Sequence, residues 1–160
     1  MSYNINPGDN APDIELPVWP EGQMKLSDLR GRWVVLYFYP KDSTSGCTKE
    51  SCNFRDARPD FSSADASIVG VSRDSLASHK KFAEAQSLPF PLLSDGEEAL
   101  CKAFDVLQMK MNYGKQYMGI ERSTFLIDPQ GVIREAWRKV KVDGHADVVL
   151  ARLKELQAQG

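Results

Sequence analysis

The run WVVLYFY, Trp33 to Tyr39, limits the fold more than any other stretch of the chain. It contains no polar break, and its β-branched and aromatic residues favour extended backbone. An uninterrupted apolar strand has no face to offer water, so it predicts a central strand covered on both sides. ASIVGVS, Ala66 to Ser72, has the same character. Between the two, Thr44 to Phe61 sets Cys47, Phe54 and Phe61 seven residues apart, which keeps them on one face of a helix. Pro59 is expected to kink or end that helix. SLASHKKFAEAQ, Ser75 to Gln86, reads as an amphipathic helix with Ser75 as its N-cap. The order β-α-β-α implies parallel strands joined by right-handed crossovers.

Downstream, STFLID and VIREAWRKV flank DPQG, a Pro/Gly turn that predicts an antiparallel hairpin. HADVVLARLKELQAQ then closes the chain as a helix with apolar Val148, Val149, Leu150, Leu153 and Leu156. The full order, β-α-β-α followed by β-β-α, is that of an α/β, thioredoxin-like fold, a central mixed β-sheet flanked by helices. Material between Leu88 and Arg122, including PFPLLSDGEEALCKAFDV, is expected to add a short strand and a helix at the sheet edge. No linker, repeat or low-complexity run divides residues 1–160, so a single domain is expected. Trp33, Trp137 and Phe125 read as core, His79 as an exposed helix residue and His145 as a helix start.

A chain of 160 residues, 42% hydrophobic and 26% charged, suits one such domain. A domain of about 150 residues buries roughly 70% of its unfolded surface and needs no disulfide to hold it. Its 3 cysteines are therefore free for chemistry. Their number is odd, and the first residues carry neither a basic flank nor an apolar run of signal-peptide length, so a cytoplasmic protein with reduced thiols is expected. A formal net charge of -2 argues against broad nucleic-acid or membrane binding, and no apolar run reaches transmembrane length. Cys47, Cys52 and Cys101 with the distant His79 and His145 lack paired ligand spacing, so neither metal nor cofactor is expected.

Cys47 falls at the start of the helix that follows the central strand, beyond the carboxyl end of that strand, where open α/β sheets bind ligands. The free N–H groups and dipole of a helix N-terminus favour a thiolate over a thiol, which would make Cys47 a nucleophile. The competing reading is a small buried hydrophobe, the commoner fate of a free cysteine.

Pro40, Thr44 and Cys47 stand as P-x-x-x-T-x-x-C, which resembles the peroxiredoxin active-site signature. YFYPKDSTSGCTKESCNFRD and GIERSTFLID are similar to the Q-type branch, also called bacterioferritin comigratory protein, over nearly the whole chain. The resemblance implies a thiol-dependent peroxidase that reduces hydrogen peroxide and organic hydroperoxides to water or alcohol. On that likeness Cys47 is the peroxidatic cysteine, whose thiolate attacks one peroxide oxygen and becomes a sulfenic acid. Thr44 contacts the thiolate and orients the peroxide, a role compatible with capping the helix. Pro40 shields the cysteine, Gly46 allows close backbone approach, and Arg122 stabilises the thiolate and binds peroxide. Ser45 departs from the family's usual proline, which would pre-set the first helical turn, and this bears on the rigidity of the loop rather than on its chemistry.

Cys52 resembles the resolving cysteine, which condenses with the Cys47 sulfenic acid into an intramolecular disulfide. In an intact helix the two Cα atoms would lie about 9 Å apart, beyond the roughly 7 Å limit for a disulfide, so the pairing implies unwinding of the first turns. Cys101 is expected to pack rather than react. The resemblance further implies recycling by thioredoxin or a similar dithiol reductant and a mainly monomeric state. A thiol–disulfide oxidoreductase of the same fold, lacking C-x-x-C here, and a redox sensor are the alternatives, separable by peroxide turnover.

Overall fold

The WVVLYFY run lies where its composition requires, in the interior of a seven-stranded sheet with strands paired on both sides of it. The computed structural model describes residues 3–159. Along the chain the elements are β1 (Leu16–Trp19), β2 (Gln23–Met24), a 3-10 turn (Leu26–Leu29), β3 (Trp33–Phe38), α1 (Ser45–Ser63) and β4 (Ala66–Ser72). They continue with α2 (Leu76–Gln86), β5 (Leu92–Ser94), α3 (Ala99–Ala103), β6 (Leu107–Asn112), β7 (Lys115–Ile120), β8 (Ser123–Ile127), β9 (Ile133–Trp137) and α4 (His145–Ala158). The sheet order is β2-β1-β5-β4-β3-β8-β9, with β6 and β7 forming a separate two-stranded hairpin. Strand β4 runs parallel to β3 and β5 parallel to β4, while β8 and β9 return antiparallel.

Every residue of β3 is buried, and its alternation decides what covers each face. Val35 and Tyr37, followed by Tyr39, join Cys47, Phe54 and Phe61 of α1, Phe82 of α2, and Val149 and Leu153 of α4 in one core. Val34, Leu36 and Phe38 join Leu100 and Cys101 of α3, Phe104, Phe125, Ile5 and Leu26 in the other. The expected mixed sheet flanked by helices is thus present, with α1, α2 and α4 on one side. Burying large side chains on both faces is what holds β3 extended, at roughly 2 kcal/mol for each fully buried aliphatic or aromatic residue.

Several expectations are corrected. Helix α1 does not end at Pro59 but continues to Ser63. The missing proline N–H orphans only one carbonyl, one turn earlier. Arg58, Pro59 and Asp60 are exposed, so water can satisfy it, while buried Phe61 ties the last turn to the core. Strand β5 is not at the edge, because β1 pairs antiparallel outside it and β2 outside that. The β6–β7 hairpin and the N-terminal strands were not anticipated. His79 is fully buried, not exposed. Its Nδ1 lies 2.7 Å from Asp42 Oδ2 and its Nε2 2.9 Å from the Leu93 carbonyl, so both polar atoms are satisfied inside the protein. In α4, Val149, Leu153 and Leu156 are buried but Val148 is 52% exposed, off the inward stripe. Trp33 and Phe125 are core, whereas Trp137 is half-buried against it.

Candidate active site

The site begins where β3 ends. The following loop is bolted to α2 by Asp42, which is buried. Its Oδ1 accepts the Tyr39 hydroxyl at 2.6 Å and its Oδ2 the Ser78 hydroxyl at 2.8 Å, beside His79. Its backbone N–H donates to Asp74 Oδ2 at 2.8 Å. Pro40, half-buried, leads into this loop. The loop ends at Thr44, which occupies the N-cap position of α1, yet its hydroxyl donates to the Lys41 carbonyl at 2.9 Å and does not cap the helix. The first intrahelical bond runs from Thr48 N–H to Thr44 O, so the first-turn N–H groups, Gly46 and Cys47 among them, have no partner within the helix.

Cys47 is only 1% exposed. Arg122, immediately before β8, donates through Nη2 to Cys47 Sγ at 3.4 Å and through Nη1 to Glu50 Oε1 at 2.6 Å. Register places it there, because Ser123 pairs with Phe38 at the end of β3. The Arg122 carbonyl also accepts Val140 N–H at 3.0 Å. Gly46 makes room for the guanidinium, since a Cβ there would stand 3.3 Å from Nη2. Ser45 begins α1 without a proline, and the helix forms from that residue.

Glu50 is as buried as Cys47, and its Oε2 has no hydrogen-bond partner among the described residues. Burial pushes its carboxyl up to about 7 against the opposing pull of Arg122. Burial works against the charge on Arg122, but Glu50 and Cys47 outweigh it and hold the guanidinium above its ordinary value. Behind the site, His145 starts α4 as expected, buried, with Nε2 2.8 Å from Thr124 Oγ1. Burial and then Arg122 lower it to about 4, so the ring is neutral near pH 7.

Cys52 is half-buried on a different side of α1, where its Sγ donates to Gln86 Oε1 at 3.4 Å. Cys101 is fully buried, and burial, then Asp95, push its thiol well above the ordinary range. All of Cys47, Cys52 and Cys101 are free thiols. Among the described residues no group of His, Cys, Asp or Glu is assembled to hold a metal ion, and no helix is long and apolar enough to cross a membrane.

Thus Cys47, Gly46 and Arg122 come together, Thr44 and Pro40 lie on the loop before them, and Cys52 stands apart. Glu50 and Asp42 were missed. Glu50 carried a signal, the i,i+3 spacing from Cys47 that puts both on one helix face. Asp42 carried none, because His79 and Asp74 lie more than 30 residues away in sequence. A sulfur at a helix N-terminus, with a guanidinium against it and solvent largely excluded, is equipped for nucleophilic displacement.

The AhpC/TSA family model matches residues 7–136. The chain belongs to that family. Within it, the peroxiredoxin relatives are close. Peroxiredoxin Bcp of Xanthomonas campestris is 56% identical over 146 residues, covering 90% of this chain and 91% of that protein. Peroxiredoxin Bcp of Bacillus subtilis is 53% identical over 152 residues, covering 95% and 97%. Among solved structures, a cysteine-to-serine mutant of PrxQ from Xylella fastidiosa superposes with a TM-score of 0.93 at 45% identity, over 98% of this chain and 99% of that one. The protein is therefore a peroxiredoxin of the Q-type, or bacterioferritin comigratory protein, branch, and so a thiol-dependent peroxidase.

Proposed function

We propose that this peroxiredoxin, acting as one domain over residues 1–160, uses Cys47 as the peroxidatic cysteine. The contact that carries the assignment is Arg122 Nη2 at 3.4 Å from Cys47 Sγ. The Cys47 thiolate attacks one peroxide oxygen, the O–O bond breaks, and the departing oxygen takes a proton to leave as water or alcohol. Charge moves from sulfur to that oxygen, so donors fixed along its path lower the barrier. Arg122 and the free N–H groups at Gly46 and Cys47 are such donors, and Thr44 turns its hydroxyl to the incoming peroxide once it leaves the Lys41 carbonyl. Pro40 limits the entry of water. Hydrogen peroxide and organic hydroperoxides are both substrates. A relative, the Xanthomonas campestris bacterioferritin comigratory protein, 55% identical, has alkyl peroxide reduction activity.

Cys52 resolves the sulfenic acid as an intramolecular disulfide, and thioredoxin or a similar dithiol reduces it. Cys101 is a poor rival, being fully buried with its ionisation opposed. The protein acts as a cytoplasmic monomer. Mass spectrometry after one equivalent of peroxide tests the pairing, which is expected to yield a Cys47–Cys52 disulfide. Cys47→Ser abolishes peroxide turnover, because a hydroxyl cannot supply the nucleophile at neutral pH; substantial residual catalysis in that variant refutes the assignment.

A further inference from the structure

The region around Cys52 holds a second cation that the first half of the reaction does not use. Arg55 follows Cys52 by three residues on α1, a spacing that puts both side chains on one helix face. Both also converge on the same residue of α2. Cys52 Sγ donates to the Gln86 side-chain oxygen at 3.4 Å, and Arg55 Nη1 donates to the Gln86 carbonyl at 2.7 Å. Asp56 takes Arg55 Nε at 3.0 Å, which fixes the plane of the guanidinium. The helical spacing and the shared contacts with Gln86 keep the charge on the helix face that carries the Cys52 sulfur.

We propose that Arg55 is the positioning residue for the resolving half-reaction, supplying the positive charge that favours the Cys52 thiolate when it attacks the Cys47 sulfenic acid. This rests on Cys52 being the resolving cysteine. In the step the Cys52 thiolate attacks Cys47 Sγ, the S–S bond forms and the S–O bond breaks. Hydroxide leaves and takes up a proton to become water. The Cys52 sulfur is oxidised and the sulfenic sulfur reduced by the same electron pair, so no outside oxidant is needed. In the reduced protein the Cys52 thiol donates to Gln86 Oε1, which keeps it parked; withdrawal of the sulfur from Gln86 leaves Arg55 as the cation on the same helix face. The guanidinium itself is held above its ordinary value, first by the bond to Asp56 and, against the effect of burial, also by Cys52. Arg122 touches the first sulfur, whereas Arg55 acts on the second through space and from a more solvated position, so a smaller effect is expected. In the wound helix of the reduced protein, from which the resolving step starts, the charge lies within one helical turn of Cys52.

Rapid-mixing fluorescence with hydrogen peroxide separates oxidation of Cys47 from disulfide formation. In Arg55→Gln the ratio of the resolution rate to the oxidation rate falls by about fivefold to tenfold at pH 7, the scale of one partly solvated charge interaction. Arg55→Lys restores most of it. The deficit closes near pH 10, where cysteine thiols ionise without help, a pattern that loss of packing does not produce. Arg55→Gln also accumulates more Cys47 sulfinic acid under excess peroxide. An unchanged ratio in Arg55→Gln, or a deficit that persists at pH 10 and resists rescue by lysine, overturns the role of Arg55. Mass spectrometry of the wild type tells the two failures apart: no Cys47–Cys52 disulfide there overturns the resolving assignment itself, whereas that disulfide with an unchanged ratio overturns only Arg55.

Discussion

Arg122 divides one guanidinium between two partners, the Cys47 sulfur and the Glu50 carboxylate. A planar, permanently charged fork can serve both at once, which a lysine ammonium cannot do with the same geometry. Arg122→Ala is therefore expected to slow oxidation of Cys47 by peroxide by a factor of about 100 to 1000, the cost of losing one donor aimed at developing charge. Stopped-flow rates checked beside circular dichroism would show whether the fold survives; an unchanged rate would mean that another cation, such as Arg73 or Lys41, serves the sulfur. Gly46 gives a finer probe. A methyl group 3.3 Å from Nη2 must push the guanidinium by a few tenths of an ångström, since backbone cannot yield as the side chain does. Gly46→Ala should lower the oxidation rate by about tenfold, with unfolding midpoints close to wild type, because a small displacement at the reacting atoms is costly while the rest of the core is untouched.

At the scale of the element, the proposed Cys47–Cys52 disulfide would ask α1 for two states that cannot coexist. Wound, it presents the first-turn N–H groups to Cys47 and seats Phe54 against Tyr37, Phe61 and His145, with ring centroids 4.9, 6.0 and 6.0 Å away. Bridged between Cys47 and Cys52, its first turns must open, because the helical Cα separation of about 9 Å exceeds what a disulfide spans. Opening also breaks the Arg122–Glu50 pair and the pair of Lys49 with Asp143. Oxidation is thus expected to lower far-ultraviolet helicity and speed amide exchange across roughly positions 45 to 56. Cys52→Ser should abolish the change and let Cys47 accumulate as sulfenic or sulfinic acid under excess peroxide. Full protection of this segment in the oxidised wild type would point to Cys101 or a second chain as the partner. Helix α2 is held to the loop before Cys47 by the Asp42–His79 contact and is expected to stay in place.

At the scale of the whole molecule, two buried groups shape stability in opposite senses. Glu50 ionises near 7 in the folded chain against 4.5 as its ordinary value. The unfolded chain therefore loses this proton first, and stability falls as pH rises from about 4.5 to about 7. His145 sits near 4 in the folded chain against 6.5, so the unfolded chain takes up a proton first and stability is lost as pH falls from about 6.5 to about 4. Between pH 5 and pH 6.5 the slopes oppose each other. Glu50→Gln removes one of them, so urea unfolding should show the variant gaining on wild type by about 1.4 kcal/mol per pH unit across that window; a pH-independent difference would sink the account of Glu50. The sequence by itself determined the central strands, the α/β order, the placement of Cys47 at a helix start and the signature that named its family, because apolar periodicity and local motifs act over a few residues. Helix α1 running through Pro59, buried His79, the Asp42 anchor, the inner place of β5 and the β6–β7 hairpin were decided only by the tertiary structure. Each depends on partners distant in the chain, as with His79 and Asp42, 37 residues apart, where hydrogen-bond satisfaction in the interior outweighs the polar character that would otherwise keep such a residue at the surface.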